Sequence, residues 1–82
     1  MVIKYFAWLK NITNKDQEVL KEKSIKDIKT LKIYLGKKYP KLKKHFNKND
    51  MLRFAINLKY INKNIKLKSN DEIAIFPPVS GG

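Results

Sequence analysis

Apolar positions alternate along the first stretch of the chain. Ile3, Tyr5, Ala7 and Leu9 fall on one side, and Val2, Lys4, Phe6 and Trp8 on the other. That period of two predicts a strand over residues 2–9. The first set is the expected core face, because the second carries Lys4. Asn11 to Asp16 holds turn-type residues and predicts a reversal. Gln17 to Lys23, with Val19 and Leu20 inside it, reads as a weaker second strand paired to the first as a hairpin. The period then changes. Ile25, Ile28, Leu31 and Leu35 recur at helical spacing, while Lys26, Lys29 and Lys32 fall largely outside that stripe. Ser24 is the expected N-cap, with Asp27 suiting the first turn. Gly36 and Pro40 predict the helix stop, with Lys37 and Lys38 near its negative end.

Lys41 to Asp50 is polar, basic and irregular, with room for a short turn of helix around Leu42 and Phe46. Leu52 to Ile56 predicts a third strand, and Asn57-Leu58-Lys59 a tight reversal into Tyr60-Ile61. Asn62-Lys63-Asn64 opens a loop that Ile65 and Leu67 anchor. Ser69-Asn70-Asp71 predicts a turn into the last strand, Glu72 to Phe76. The order is strand, strand, helix, strand, short strand, strand. It predicts an α+β fold: a mixed sheet of four to five strands packed on one main helix. The apolar first and last strands are expected as parallel neighbours in its middle. Residues 1–76 form the expected domain. Residues 77–82 form a tail, the one segment expected to be disordered.

Composition narrows the function. With 82 residues the chain is one small domain with a modest core, which favours a carrier or binding module over a self-sufficient enzyme. The absence of Cys excludes a disulfide framework, a Cys-based zinc site and a thiol nucleophile. No apolar run approaches the roughly 20 residues of a membrane span, and the N-terminus lacks the marks of a signal peptide. The expectation is a cytosolic, cytoplasmic protein with no membrane partner. The net charge of +12 invites a nucleic-acid reading. However, Arg53 is the only Arg, and phosphate-reading surfaces usually recruit its planar fork. No specific nucleic-acid partner is expected, and the charge should serve solubility and steering toward acidic partners.

Few side chains are candidates for chemistry. His45 has no acidic or Cys partner at ligand spacing, so a packing role is expected and a metal site is not. Asp71 and Glu72 are adjacent, and on a strand they point to opposite faces. No Gly-rich loop is present to cradle phosphate, so the chain itself is expected to bind no cofactor. The remaining candidate is the terminal segment Phe76-Pro77-Pro78-Val79-Ser80-Gly81-Gly82, whose last residue is expected to carry the free α-carboxylate. Gly81 and Gly82 have no Cβ, so they can thread a narrow channel. Pro77-Pro78 favours a stiff, extended segment. Seven residues from Phe76, at roughly 3.3 Å each, reach about 20 Å.

Three stretches resemble a known family. They are Tyr5-Phe6-Ala7-Trp8-Leu9-Lys10, Ala55-Ile56-Asn57, and Asn70-Asp71-Glu72-Ile73-Ala74-Ile75-Phe76 with the tail that follows. Together they are similar to the small, sulfur-carrying subunit of molybdopterin synthase, a family of ubiquitin-like β-grasp proteins. The resemblance covers essentially the whole chain, and the Phe-Pro-Pro-Val-Ser-Gly-Gly ending is its most specific part. It implies a non-catalytic subunit of a two-subunit synthase. A ubiquitin-activating-like adenylyltransferase, using ATP and Mg, adenylates the Gly82 carboxylate. A sulfur donor then converts it to a thiocarboxylate. The tail, through Pro77, Pro78, Val79, Ser80 and Gly81, enters the large catalytic subunit of a heterotetramer. There its sulfur passes to a cyclic pyranopterin precursor. A sulfur carrier for thiazole or tRNA thiolation, a protein modifier acting through Gly82, and a basic nucleic-acid module are the competing readings.

The same resemblance, with strand alternation, sets the expected docking surface. Ala74 and Phe76 point away from the core, as do Phe6 and Trp8, and a family-style placement adds Tyr60. The competing placement tucks Trp8 or Tyr60 under a loop. Two positions depart from the family pattern. Lys10-Asn11 stands where Arg-Glu is common, so Lys10 keeps a charge for a partner but loses the bidentate fork. Ser69-Asn70-Asp71 replaces an Asp-Gly-Asp turn, and Asn70 is expected to take a left-handed conformation in place of the Gly.

Overall fold

Side chains that alternate in polarity build the sheet, and a helical stripe covers one of its faces. The computed structural model describes residues 1–47 and 52–78. Its elements are β1 (Val2–Tyr5), α1 (Leu9–Thr13), β2 (Gln17–Val19), α2 (Ile28–Lys38), α3 (Pro40–Asn47), β3 (Arg53–Ile56), β4 (Lys59–Ile61) and β5 (Glu72–Phe76). The five-stranded sheet has the order β2-β1-β5-β3-β4. β1 and β5 are parallel, in register from Val2 opposite Glu72 to Tyr5 opposite Ile75. The other neighbours are antiparallel. This is the expected mixed sheet with its first and last strands at the centre.

The core lies between the inner sheet face and the helices. Ile3, Tyr5, Phe54, Ile56, Ile73 and Ile75 are buried from the sheet side. Ile28, Leu31 and Leu35 of α2 meet them, with Ile25 just ahead of the helix and Leu42 of α3 beside it. Each fully buried aliphatic side chain contributes about 1.5–3 kcal/mol of transfer free energy.

Several elements differ from the sequence expectation. β1 stops at Tyr5, because Ala7 turns left-handed at φ 56°. Ala7 is therefore exposed, and Leu9 reaches the core from α1 instead of from a strand. The expected turn at 11–16 begins inside that helix. Thr13, one turn after Leu9, is also buried, and its hydroxyl donates to the Leu9 carbonyl at 3.2 Å. Asn14 ends α1 at φ 63° and donates its N–H to the Lys10 carbonyl. β2 covers only Gln17–Val19 of the expected 17–23.

Ser24 does not cap α2. Asp27 does, accepting from the Thr30 N–H at 2.8 Å, while the Thr30 hydroxyl accepts from the Asp27 N–H at 3.0 Å. This is a capping box with Thr in the place of Glu. Gly36 does not end the helix either. It is buried inside α2 where α3 crosses, and a Cβ there would stand 3.3 Å from Lys43 Cγ. Pro40 opens α3 rather than merely closing α2, as suits a residue with no N–H to place in a first turn. The irregular segment expected from Lys41 is thus helical through Asn47. Lys48 to Met51 lie outside the described residues.

A buried carboxylate that the sequence does not flag ties β2 to the helices. The Glu18 side chain is 8% exposed. It accepts hydrogen bonds from the Tyr5 hydroxyl, from the Tyr39 hydroxyl at 2.6 Å, and from Lys38 Nζ at 2.6 Å. Burial works to raise its pKa, but the hydrogen bonds from Lys38, Tyr39 and Tyr5 outweigh it and hold the carboxyl below its ordinary value. Burial and the neighbouring Glu18 charge push the Tyr39 phenol up to about 12, and the Tyr5 phenol far above its ordinary value. The hydrogen bond to Glu18 raises Lys38.

The reversal after β3 is a two-residue hairpin with Asn57 at φ 49° and Leu58 at φ 71°. Asn57 also reaches β5: its Nδ2 donates to Asp71 Oδ1 at 2.9 Å and its Oδ1 accepts from the Glu72 N–H at 3.0 Å. The turn before β5 needs no left-handed Asn70. Asp71 closes it instead, accepting from the Lys68 N–H at 2.7 Å.

Candidate functional site

The central strand β5 organises the outer face of the sheet. Ile73 and Ile75 point into the core, so Ala74 and Phe76 point out. Register places Lys4 and Ala55 on either side of Ala74, with Tyr60 beyond Ala55. Arg53 stands directly opposite Phe76 on β3. Phe6 continues β1 past its last strand residue, donating its N–H to the Ile75 carbonyl at 3.1 Å. The small side chains of Ala7 and Ala74 leave a depression between larger neighbours. Phe6, Ala7, Ala74, Phe76, Pro77 and Pro78 enclose an open apolar hollow of about 470 Å³. Phe6 is 44% exposed within it.

The structure brings together some of the expected site residues. Phe6, Phe76, Pro77 and Pro78 share one hollow. Trp8 is elsewhere: it is half-buried against the core and tilts over the His45 ring of α3, centroids 4.6 Å apart. The left-handed turn at Ala7 breaks the alternation that would have kept Trp8 beside Phe6. His45 therefore has the packing role expected of it, on a helix rather than in a loop. Tyr60 lies on the outer face by register and is 58% exposed, but it borders a second hollow between α2 and β4. Lys10 sits on α1, exposed, 3.8 Å from Asp16 in a solvated ion pair. Val79, Ser80, Gly81 and Gly82 lie outside the described residues.

Ala7, Ala55 and Arg53 belong to the surface without having been expected there. Ala7 gives no sign in sequence, since a left-handed Ala is uncommon. Ala55 and Arg53 follow from the β3–β5 register, and alternation along Leu52 to Ile56 was the signal available for them. Chemically, the hollow is a place for apolar contact. Its lining has no titratable side chain, and no group of three His, Cys, Asp or Glu could hold a metal among the described residues. What it offers is aromatic and prolyl area at the point where the chain leaves the central strand.

Comparison with known proteins agrees with this geometry. A profile of the ThiS family matches residues 3–82. The molybdopterin synthase sulfur carrier subunit of Dictyostelium discoideum is 63% identical over 30 residues, which are 34% of this chain and 35% of that one. The small archaeal modifier protein 1 of Methanosarcina acetivorans superposes with a TM-score of 0.78 at 29% identity, covering 99% of this chain and 94% of the other. A candidate molybdopterin converting factor subunit 1 from Pyrococcus furiosus superposes with a TM-score of 0.79 at 23% identity, covering 95% of each chain. No helix among the described residues is long and apolar enough to cross a membrane. The chain belongs to the ThiS family, ubiquitin-like β-grasp proteins of the sulfur-carrier type.

Proposed function

We propose that the chain carries sulfur on the carboxylate of Gly82 for molybdopterin synthesis. The observation that best supports the reading is the apolar hollow of Phe6, Phe76, Pro77 and Pro78 at the root of the tail. A partner that fills it is anchored beside the segment whose end it must reach. The matching segment in the Dictyostelium sulfur carrier subunit favours the molybdopterin branch. The chemistry runs in balanced steps. The Gly82 carboxylate attacks the α-phosphorus of ATP on an activating enzyme with Mg, and pyrophosphate leaves. A hydrosulfide-equivalent donor attacks the acyl carbon, and AMP leaves. The thiocarboxylate sulfur then attacks a carbon of the pterin precursor held by the large subunit and displaces an oxygen leaving group. Water cleaves the acyl–sulfur bond, leaving the sulfur on the pterin and returning the carboxylate, and a second charged carrier supplies the second sulfur. Charged carrier mixed with the large subunit and the cyclic precursor should yield the dithiolene product. Efficient charging with no transfer to that precursor would reject the molybdopterin branch and leave sulfur carriage standing.

A second reading has one observation behind it. The Methanosarcina neighbour is described as a modifier protein and aligns over nearly the whole chain. The same activated carboxylate would then acylate a Lys amine, and conjugates linked through Gly82 in cell extract would support it.

A further inference from the structure

The second hollow lies between α2 and the β3–β4 hairpin, and the proposed sulfur carriage makes no use of it. It has a volume of about 500 Å³ and opens where β4 turns back toward α2. Four cations line it: Lys29, Lys32, Arg53 and Lys63. Among the described residues no carboxylate lines it. Asp27, bonded to the lining Asn64, is engaged by Thr30 and by Asn64 Nδ2 at 3.2 Å. Lys32 Nζ lies 5.3 Å from the centre of the Phe54 ring, which holds its charge at the hollow's inner wall. Lys29 and Lys32 also line a groove of about 350 Å³ between α2 and α3, together with Lys37 and Lys43. The two depressions therefore form one basic track along α2.

The track is not uniformly polar. Ile61 and Leu52 line the hollow, and Ile33, 51% exposed, lines the groove with Phe46. Beside it runs β4, the last strand of the sheet, with one backbone edge facing outward. Helix cations interspersed with apolar side chains, beside an unpaired strand edge, suit an extended polypeptide, which adds backbone hydrogen bonds to the edge and places side chains in the pockets. They suit nucleic acid less well, because the track has one Arg and one exposed aromatic, Tyr60.

We propose that this track binds an extended segment of a partner protein in which acidic and apolar residues alternate. Arg53 lines the hollow and stands opposite Phe76, so a segment bound there sits one strand from the root of the tail. The test uses the full chain and a short fluorescein-labelled peptide of alternating Glu and Leu, read by anisotropy at physiological salt. The double variant Lys29→Glu/Lys32→Glu should weaken binding at least about tenfold. Lys21→Glu/Lys23→Glu, exposed beyond β2, makes the same change in net charge and should alter affinity less than about twofold. Amide shifts on titration should concentrate at Lys29, Lys32 and residues 61–64. Equal losses in the two double variants would mean diffuse charge attraction and overturn the site. Tighter binding of oligouridylate than of the peptide, lost in Lys29→Glu/Lys32→Glu, would overturn the choice of a polypeptide.

Discussion

Replacing Glu18 by Ala tests how the β2 edge is held to the helices. The carboxylate receives two phenolic hydroxyls and an ammonium. Tyr5 is 1% exposed, so its hydroxyl would lose its charged acceptor inside the core and keep only the neighbouring Tyr39 hydroxyl, at about 1–3 kcal/mol. Tyr39 is half-buried and Lys38 Nζ reaches solvent, so both would rehydrate; together they add about 1 kcal/mol. The expected loss is about 3 kcal/mol at neutral pH, a large share of the 5–15 kcal/mol typical of a domain. It should lower the melting temperature by about 15 °C. Glu18→Gln keeps the volume and one acceptor, and should cost about half as much. The assay is urea unfolding followed by Trp8 fluorescence.

The pH dependence has a defined sign. A carboxyl lowered in the folded state stabilises the protein above its unfolded pKa, near 4.3, and that gain disappears as pH falls through the folded value. The gap between wild type and Glu18→Gln should therefore close in acid. On the alkaline side, phenols raised in the fold keep their contribution below about pH 10 and lose it above. A Glu18→Ala loss under about 1 kcal/mol, or a gap to Gln that stays constant down to pH 2, would refute the reasoning.

Four further outcomes are expected. Phe76→Ala should weaken docking to the large subunit by about 2 kcal/mol, roughly 30-fold by calorimetric titration, while circular dichroism stays native. Leu58→Gly should stabilise the hairpin by up to about 1 kcal/mol, since Leu58 is 91% exposed and held at φ 71°, a geometry Gly takes freely. Ala7→Val should destabilise by about 1–2 kcal/mol in thermal melts, because a β-branched side chain resists φ 56°. One residue added after Gly82 should leave the melting curve unchanged and abolish sulfur loading by the activating enzyme.

Strand and helix periodicity made the sheet, its central parallel pair and the α2 stripe legible, because burial of one face is written directly into residue spacing. Boundaries were harder, and for specific reasons. A left-handed Ala7 carries no composition signal, yet it ends β1 and sends Trp8 to α3. Gly36 looks like a stop but is a close-packing contact with α3. Ser24 and Asp27 are both good caps, and the Thr30 hydroxyl decides between them. Glu18 has Lys15 near it in sequence, 3.7 Å away, but Tyr39 and Lys38 meet it only after the helices fold back. Of the proposed docking surface, Phe6 and Phe76 follow from alternation; alternation also puts Ala55 and Arg53 on the outer face, but their places beside Ala74 and Phe76 needed the register of β3 on β5.

The central claim is that Gly82 becomes a thiocarboxylate, and intact-protein mass spectrometry tests it most directly. The chain is incubated with its activating enzyme, ATP, Mg and a sulfide source, and then fragmented. The account expects one sulfur-for-oxygen exchange, confined to the C-terminal fragment and absent without ATP. An unchanged mass, with an enzyme shown to adenylate this chain, would contradict it.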